Sequence, residues 1–190
     1  YFNAHPGRFT YPEPPDFVGV TFLKQVLLEL TDQREALQKP LTETNFWPVT
    51  APLWGWLDEI RPHLWRQGQV YPHSTPALRQ LLADGEIDLA FSLNPNDASA
   101  EIEKGNLRNT VRTYVLTGGT LANTHFVAIP YNSSAKEGAR VIANFLLSPE
   151  AQIRKLDPAV WGDPTVLGLE KLTPADRERF TALKRGVAVA

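Results

Sequence analysis

Residues 74–93 read STPALRQLLADGEIDLAFSL and combine the signals of a helix, a tight turn and a strand. Ser74 and Thr75 stand before a proline, which is the arrangement of a helix N-cap followed by a first turn. Leucines at helical spacing follow, and Gly85 is typical of a helix end. Polar and apolar residues then alternate over residues 86–93, as they do in a strand.

The same two patterns recur along the rest of the chain. Further strands are predicted at residues 8–11, 111–117 and 125–129. Further helices are predicted at residues 17–30, 50–61 and 97–104, and after caps at Ser134, Ser148 and Thr173. Because strands alternate with helices, we expect an α/β fold with parallel strand pairs. In the helix over residues 17–30, the expected apolar stripe consists of Val20, Leu23, Leu27 and Leu30.

The composition is that of a folded protein and excludes several classes of function. The chain has 190 residues, of which 43% are hydrophobic and 21% charged, and its net charge is -2. A protein that neutralises phosphates carries a basic excess, so no nucleic acid partner is expected. No apolar run approaches the roughly 20 residues that span a bilayer. The absence of cysteine excludes disulfides, thiolate metal sites and a cysteine nucleophile.

No catalytic constellation is evident, so we expect a protein that is not an enzyme and needs no cofactor or metal. Gly118-Gly119 lacks the further glycines and the lysine of a phosphate-binding loop. No two of the four histidines have metal-ligand spacing on a helix. His73 adjoins Ser74, but a catalytic triad also needs an orienting acid close in space.

Polar residues after predicted strands and at a helix start suggest a binding site. In an open α/β sheet, ligands lie beyond the carboxyl ends of the strands, beside helix N-termini. The candidate ligand-binding residues are Asn94, Asn96, Ser74 and Thr75, with Tyr11 beside them and Trp47 and Trp54 as a stacking wall. Taken singly, each polar candidate is better explained as a cap or turn residue, and each tryptophan as a core residue.

Two aromatic and two glycine positions carry local expectations. Trp54 and Trp56 are two residues apart and do not share a helix face, so one is expected in the core and the other exposed. Trp47-Pro48 is expected in a loop. The candidate hinge residues are Gly118, Gly119, Thr120 and Asn123. A simple hairpin loop between two antiparallel strands explains that segment equally well.

Several segments resemble the type II periplasmic solute-binding proteins of ABC importers. Residues 81–91, LLADGEIDLAF, are similar to the helix, Gly-Glu turn and strand of that family. Residues 126–130, followed by FLLSPEAQ at residues 145–152, are similar to its return segment. TVRTY at residues 110–114 and WGDPTVL at residues 161–167 resemble its YnjB-type branch. The resemblance extends from about residue 7 onward, and residues 1–5 look like the remnant of a cleavage tag.

The resemblance implies the C-terminal half of a two-lobed binding protein. It implies a lobe over residues 6–118, with a mixed sheet flanked by helices. Residues 119–190 would form the hinge return and helices that pack on the first lobe. The implied function is capture of a small solute in the periplasm and its delivery to an inner-membrane ABC permease. An effector-sensing domain of a transcription regulator and a small hydrolase are the alternatives.

Overall fold

A computed structural model describes residues 1–184 and 186–188 of the chain. Helices account for 49% of it and bridge residues for 2%, and the described residues form no β-sheet. The expected α/β fold, a mixed sheet flanked by helices, is therefore wrong. The helical part of the expectation is largely confirmed.

Within the described residues, seven α-helices follow one another along the chain. They are α1 Phe17–Leu30, α2 Glu43–Ile60, α3 Thr75–Asp84, α4 Asp97–Glu103, α5 Lys136–Leu146, α6 Pro149–Leu156 and α7 Pro174–Ala182. Short 3₁₀ helices lie at Arg34–Gln38, Arg61–His63, Trp65–Gly68 and Leu169–Lys171. None of these helices has the length and apolar character needed to cross a membrane.

The chain forms two compact units. Unit 1 consists of Tyr1–Leu93 and Leu116–Leu121, and unit 2 consists of Asn94–Val115 and Ala122–Ala190. The chain therefore changes unit three times, and residues 116–121 are a short return into unit 1.

The predicted strands pair too little to form a sheet. Residues 8–11 and 86–93 form one isolated parallel bridge, between Phe9 and Leu89, beside the Arg8–Asp88 ion pair. In residues 111–117, the Thr113 N–H donates to the Ala188 carbonyl at 2.8 Å, but no ladder follows within the described residues. In residues 125–129, Phe126 is 89% exposed. Alternation suits a segment to one face of a sheet, but ladder hydrogen bonds come from a neighbouring strand.

Aromatic rings form the core of unit 1, with Phe22 of α1 at its centre. The Phe22 ring centroid lies 4.7 Å from that of Tyr11 and 5.4 Å from that of Phe9. The rings of Trp56 and Phe91 lie at 6.3 Å and 5.9 Å. Trp56 packs against this cluster while Trp54 of the same helix is exposed, so the expectation for that pair is confirmed.

The buried face of α1 differs from the expected apolar stripe. The buried residues of the helix are Gly19, Thr21, Phe22 and Gln25, whereas Leu30 is exposed. Gly19 is needed there because a Cβ on it would lie 2.0 Å from the Pro12 carbonyl oxygen. Close approach of the backbone and the size of Phe22 therefore orient α1, since hydrophobic periodicity alone favoured the neighbouring face.

Helix α2 begins earlier than expected. Its N-cap is Thr42, whose backbone N–H donates to Asn45 Oδ1 at 2.7 Å. Trp47-Pro48 consequently lies inside the helix, and Thr50 does not start it. The helix therefore continues through Pro48 and Pro52, which were interpreted as loop and helix-start signals.

In unit 2, Phe180 of α7 and Leu156 of α6 are buried. Helix α5 is different, because it contributes no buried residue. Its apolar residues Ile142, Phe145 and Leu146 are all exposed.

Replacing the central aromatic ring will test the core of unit 1. We expect Phe22→Ala to lower the free energy of unfolding by about 3–5 kcal/mol, because truncation leaves a cavity among packed rings. Phe17→Ala is the matched control, since Phe17 begins the same helix and is 60% exposed. Urea unfolding followed by circular dichroism measures both variants. Equal losses in the two variants would contradict the assignment of Phe22 to the core.

Candidate functional site

One carboxylate links the N-termini of two helices in unit 1. Asp16 Oδ1 accepts hydrogen bonds from the backbone N–H groups of Val18 at 2.8 Å and Gly19 at 3.1 Å, at the start of α1. Asp16 Oδ2 accepts one from the backbone N–H of Thr75, the first residue of α3, at 3.0 Å. The Thr75 hydroxyl donates to Oδ1, also at 3.0 Å. The segment before α1 and the start of α3 are thereby held together.

These hydrogen bonds set the ionisation of Asp16. Partial burial opposes the charged form, but the donors of Gly19, Thr75 and Val18 outweigh it and lower the pKa of Asp16 below its ordinary value. The negative charge also lies at the positive ends of two helix dipoles.

The first turn of α3 satisfies its backbone groups internally. The N–H of Ala77 donates to Ser74 Oγ at 3.4 Å, and that of Leu78 to the Ser74 carbonyl at 3.0 Å. Pro76 has no N–H. With Thr75 held by Asp16, no backbone donor of this turn faces a ligand unpaired. Ser74 and Thr75 make the capping contacts of the simpler explanation, and their role in ligand binding stays a prediction.

Tyr11 lies in the aromatic core rather than on an open surface. Its ring stacks on Phe22 and lies 5.1 Å, centroid to centroid, from that of Tyr71. Burial first, and then the neighbouring Tyr71 hydroxyl, raises the pKa of Tyr11 above its ordinary value.

Asn94 and Asn96 belong to unit 2, where they shape a turn before α4. Asn94 Nδ2 donates to the Gly162 carbonyl at 3.1 Å, and its Oδ1 accepts from the Asn96 N–H at 2.9 Å. Asn96 is buried. The two asparagines therefore lie together in one unit, with Ser74, Thr75 and Tyr11 in the other. A common site formed by both groups stays a prediction.

The two tryptophan candidates form an exposed aromatic face on α2. Trp47 is 66% and Trp54 41% exposed, and seven residues place them on the same side of the helix, two turns apart. Trp54 Nε1 donates to Thr50 Oγ1 at 3.0 Å, which fixes the orientation of its ring. Of the residues proposed from sequence in unit 1, these two present the largest open apolar surfaces.

The hinge candidates lie where the chain changes unit. Gly118, Gly119 and Thr120 belong to the return segment in unit 1, and Asn123 follows in unit 2. The N–H of Gly119 donates to the Leu116 carbonyl at 2.9 Å, and Gly119 has φ of +91°, which favours glycine. Neither flanking segment is a strand, so the hairpin alternative is wrong.

Sequence reasoning missed a polar cluster in unit 2. Lys155 Nζ contacts Asp163 Oδ2 at 2.5 Å and donates to the Pro164 carbonyl at the same distance. His125 Nε2 lies 3.5 Å from Asp163 Oδ1, and its ring packs on Trp161. The sequence WGDP, with its turn residues around a single aspartate, is the signal that points to this cluster. Residues 1–184 and 186–188 contain no group of three or more potential metal-ligating side chains.

Sequence comparison gives the class of protein. The profile of the bacterial extracellular solute-binding protein family matches residues 2–167. The chain belongs to this family, and the resemblance seen in its motifs is confirmed.

A particular relative is protein YnjB of Escherichia coli strain K12. It is 46% identical over 178 residues, which cover 94% of this chain and 46% of YnjB. The chain thus spans about half the length of the curated relative that it matches. No solved structure matches the chain.

Removal of the Asp16 carboxylate will test the link between α1 and α3. We expect Asp16→Ala to lower the free energy of unfolding by about 1 kcal/mol, as loss of an N-cap does. Asp58→Asn, an exposed substitution on α2, is the control and leaves stability nearly unchanged.

The same carboxylate makes stability depend on pH. The pKa of Asp16 is lower in the folded chain than in the unfolded chain, where it is about 3.9. The contribution of its carboxylate to the free energy of unfolding is therefore complete above that pH. It disappears as the pH falls through the folded-state pKa. We expect Asp16→Asn to remove this part of the acid dependence in urea titrations between pH 6 and pH 2.5. If the free energy of unfolding of this variant and of the parent protein changed identically with pH, the assignment of this acid dependence to Asp16 would be contradicted.

Proposed function

We propose that this chain is the C-terminal half of the solute-binding component of an ABC importer in the periplasm. It captures a small solute between two lobes and delivers it to an inner-membrane ABC permease. The observation that carries the proposal is the family match over residues 2–167.

The proposed recognition surface is assigned by side-chain chemistry. Ser74, Thr75, Asn94 and Asn96 supply hydroxyl and amide groups, and Trp47 and Trp54 supply a stacking wall. The backbone donors at the start of α3 are already used by Asp16 and Ser74, so contact with a solute there falls to side chains. The exposed tryptophans of α2 are the strongest candidates for that reason.

We further assign residues 6–118 to one lobe and residues 119–190 to a hinge return and helices that pack on another lobe. The exposed apolar face of α5 supports this assignment. Ile142, Phe145 and Leu146 are all exposed, together with Phe126 in the preceding segment. Exposed apolar side chains on one helix are typical of an interface, and the relative YnjB is more than twice as long as the matched region.

The proposed binding function is tested on the full-length protein that contains this chain. The protein is purified from periplasmic extract, released small molecules are identified by mass spectrometry, and each is added back in a thermal unfolding assay. A solute at 100 times its Kd is expected to stabilise the folded state by about 2.7 kcal/mol. Isothermal titration then compares the full-length protein with the 190-residue chain. Affinity should fall sharply in the shorter chain, and equal affinities would contradict the two-lobed site.

Substitution of the tryptophans tests the stacking wall. We expect Trp47→Ala and Trp54→Ala to weaken solute binding by about tenfold or more, which corresponds to the loss of one aromatic contact. Tyr131→Ala is the matched control, because Tyr131 is an exposed aromatic residue of unit 2 outside the proposed site. Unchanged affinity in both tryptophan variants would remove α2 from the recognition surface.

The proposed role includes binding without catalysis. We expect no turnover above background in a screen with chromogenic esters, amides and phosphate esters. Turnover that disappears in His73→Ala would contradict this role, because His73 beside Ser74 is the arrangement closest to a nucleophile and its base.

A further inference from the structure

Gln25 is a buried polar residue that the recognition surface does not use. It lies in the second half of α1, one turn after Phe22, and is only 4% exposed. Burial of an amide is costly unless its hydrogen bonds are satisfied. The partners that satisfy Gln25 therefore indicate why a glutamine stands on the buried face of this helix.

The amide of Gln25 pairs with the return segment, residues 116–121. Its Oε1 accepts a hydrogen bond from the Leu121 N–H at 2.7 Å. Its Nε2 donates to the Gly119 carbonyl at 3.1 Å. The same nitrogen donates to Glu29 Oε1, one turn further along α1, at 3.0 Å. The amide of Gln25 thus pairs with the Gly119 carbonyl and the Leu121 N–H, two backbone groups that a neighbouring strand would otherwise bind.

Internal hydrogen bonds make the return segment a compact turn. The Leu116 N–H donates to Thr120 Oγ1 at 3.0 Å, while its carbonyl accepts from the Gly119 N–H. The turn is thereby held at both of its ends, and Gln25 attaches it to α1. Residues that make these bonds resist changes in backbone dihedral angle.

The backbone that follows the return segment lacks such hydrogen bonds. In residues 122–129, which follow the segment, no backbone N–H group donates a hydrogen bond to another described residue. The chain enters unit 2 at this point. Residues that absorb a hinge rotation are those whose dihedral angles are least constrained.

We propose that Gln25 anchors the return segment to α1, so that hinge bending takes place after residue 121 and not within the Gly118-Gly119 turn. The inference rests on the proposed function in one respect, because it locates the hinge of a protein that closes on a solute. Gln25 is a positioning residue in this scheme, since it contacts the crossing chain and no solute.

Amide hydrogen exchange on the full-length protein tests the anchor without any solute. We expect Gln25→Ala to accelerate exchange of the Leu121 amide about tenfold, because its acceptor is lost. Gln25→Glu keeps an oxygen for Leu121 but replaces the donor that faces Gly119 and Glu29 with a second acceptor, so it should also accelerate exchange of the Leu121 amide.

Gln152→Ala is the matched control. Gln152 is 5% exposed and likewise makes three hydrogen bonds, to Leu146, Thr165 and Val166, but it lies in unit 2. Its loss should destabilise the protein to a similar extent and leave Leu121 exchange unchanged. If Gln25→Ala and Gln152→Ala accelerate exchange of the Leu121 amide equally, Gln25 has only a general structural role and the proposal is overturned.

A measurement on the parent protein covers the case in which Gln25→Ala does not fold. The Leu121 amide is expected to exchange at least about tenfold more slowly than that of Asn123, after correction for intrinsic rates. Equal protection of the two amides overturns the anchor. Failure to find any solute would contradict the proposed function instead, and it would leave these exchange rates unaffected.

Discussion

The ring of Phe22 lies among those of Phe9, Tyr11, Trp56 and Phe91, and this packing determines which face of α1 is buried. Once that face is set, the remaining polar contacts of α1 follow from helix geometry. Gln25, one turn later, lies on the buried side and meets the return segment. The tight approach of Gly19 to Pro12 holds the start of the helix in the same orientation. Loss of the aromatic packing would therefore disturb the contact of Gln25 with the return segment as well as the core.

The polar groups of unit 1 serve two different purposes. Asp16 and Ser74 use their oxygens to complete the first turns of α1 and α3, which leaves few backbone donors for a ligand. Gln25 uses its amide to hold a piece of chain that returns from unit 2. In the proposed function, recognition is consequently left to side chains, and Trp47 and Trp54 present the largest open apolar surfaces among the unit 1 candidates. Ser74 is a cap as well as a proposed binding residue, whereas Gln25 has no proposed part in recognition.

Local signals predicted the helices well and the strands poorly, for a physical reason. Asp16 and Ser74 satisfy N–H groups within three residues, so the caps of α1 and α3 can be recognised from sequence. A strand obtains its hydrogen bonds from residues far away in sequence. The alternation in residues 125–129 therefore indicated a preference, while the structure supplies no partner for it. The loop prediction for Trp47-Pro48 failed for a different reason: the local Thr42–Asn45 cap, which starts α2 ahead of both prolines, was overlooked.

The sequence by itself determined the family, the ends of α1 and α3 and the separation of Trp54 from Trp56, because each depends on short motifs or on helical spacing. Only the tertiary structure decided that α1 turns Phe22 and Gln25 inward, that Tyr11 is a core residue, and that Asn94 lies in a different unit from Ser74. Gln25 shows the difference most clearly. Its role depends on Gly119 and Leu121, more than 90 residues away, and contacts at that separation arise only when the folded chain brings them together.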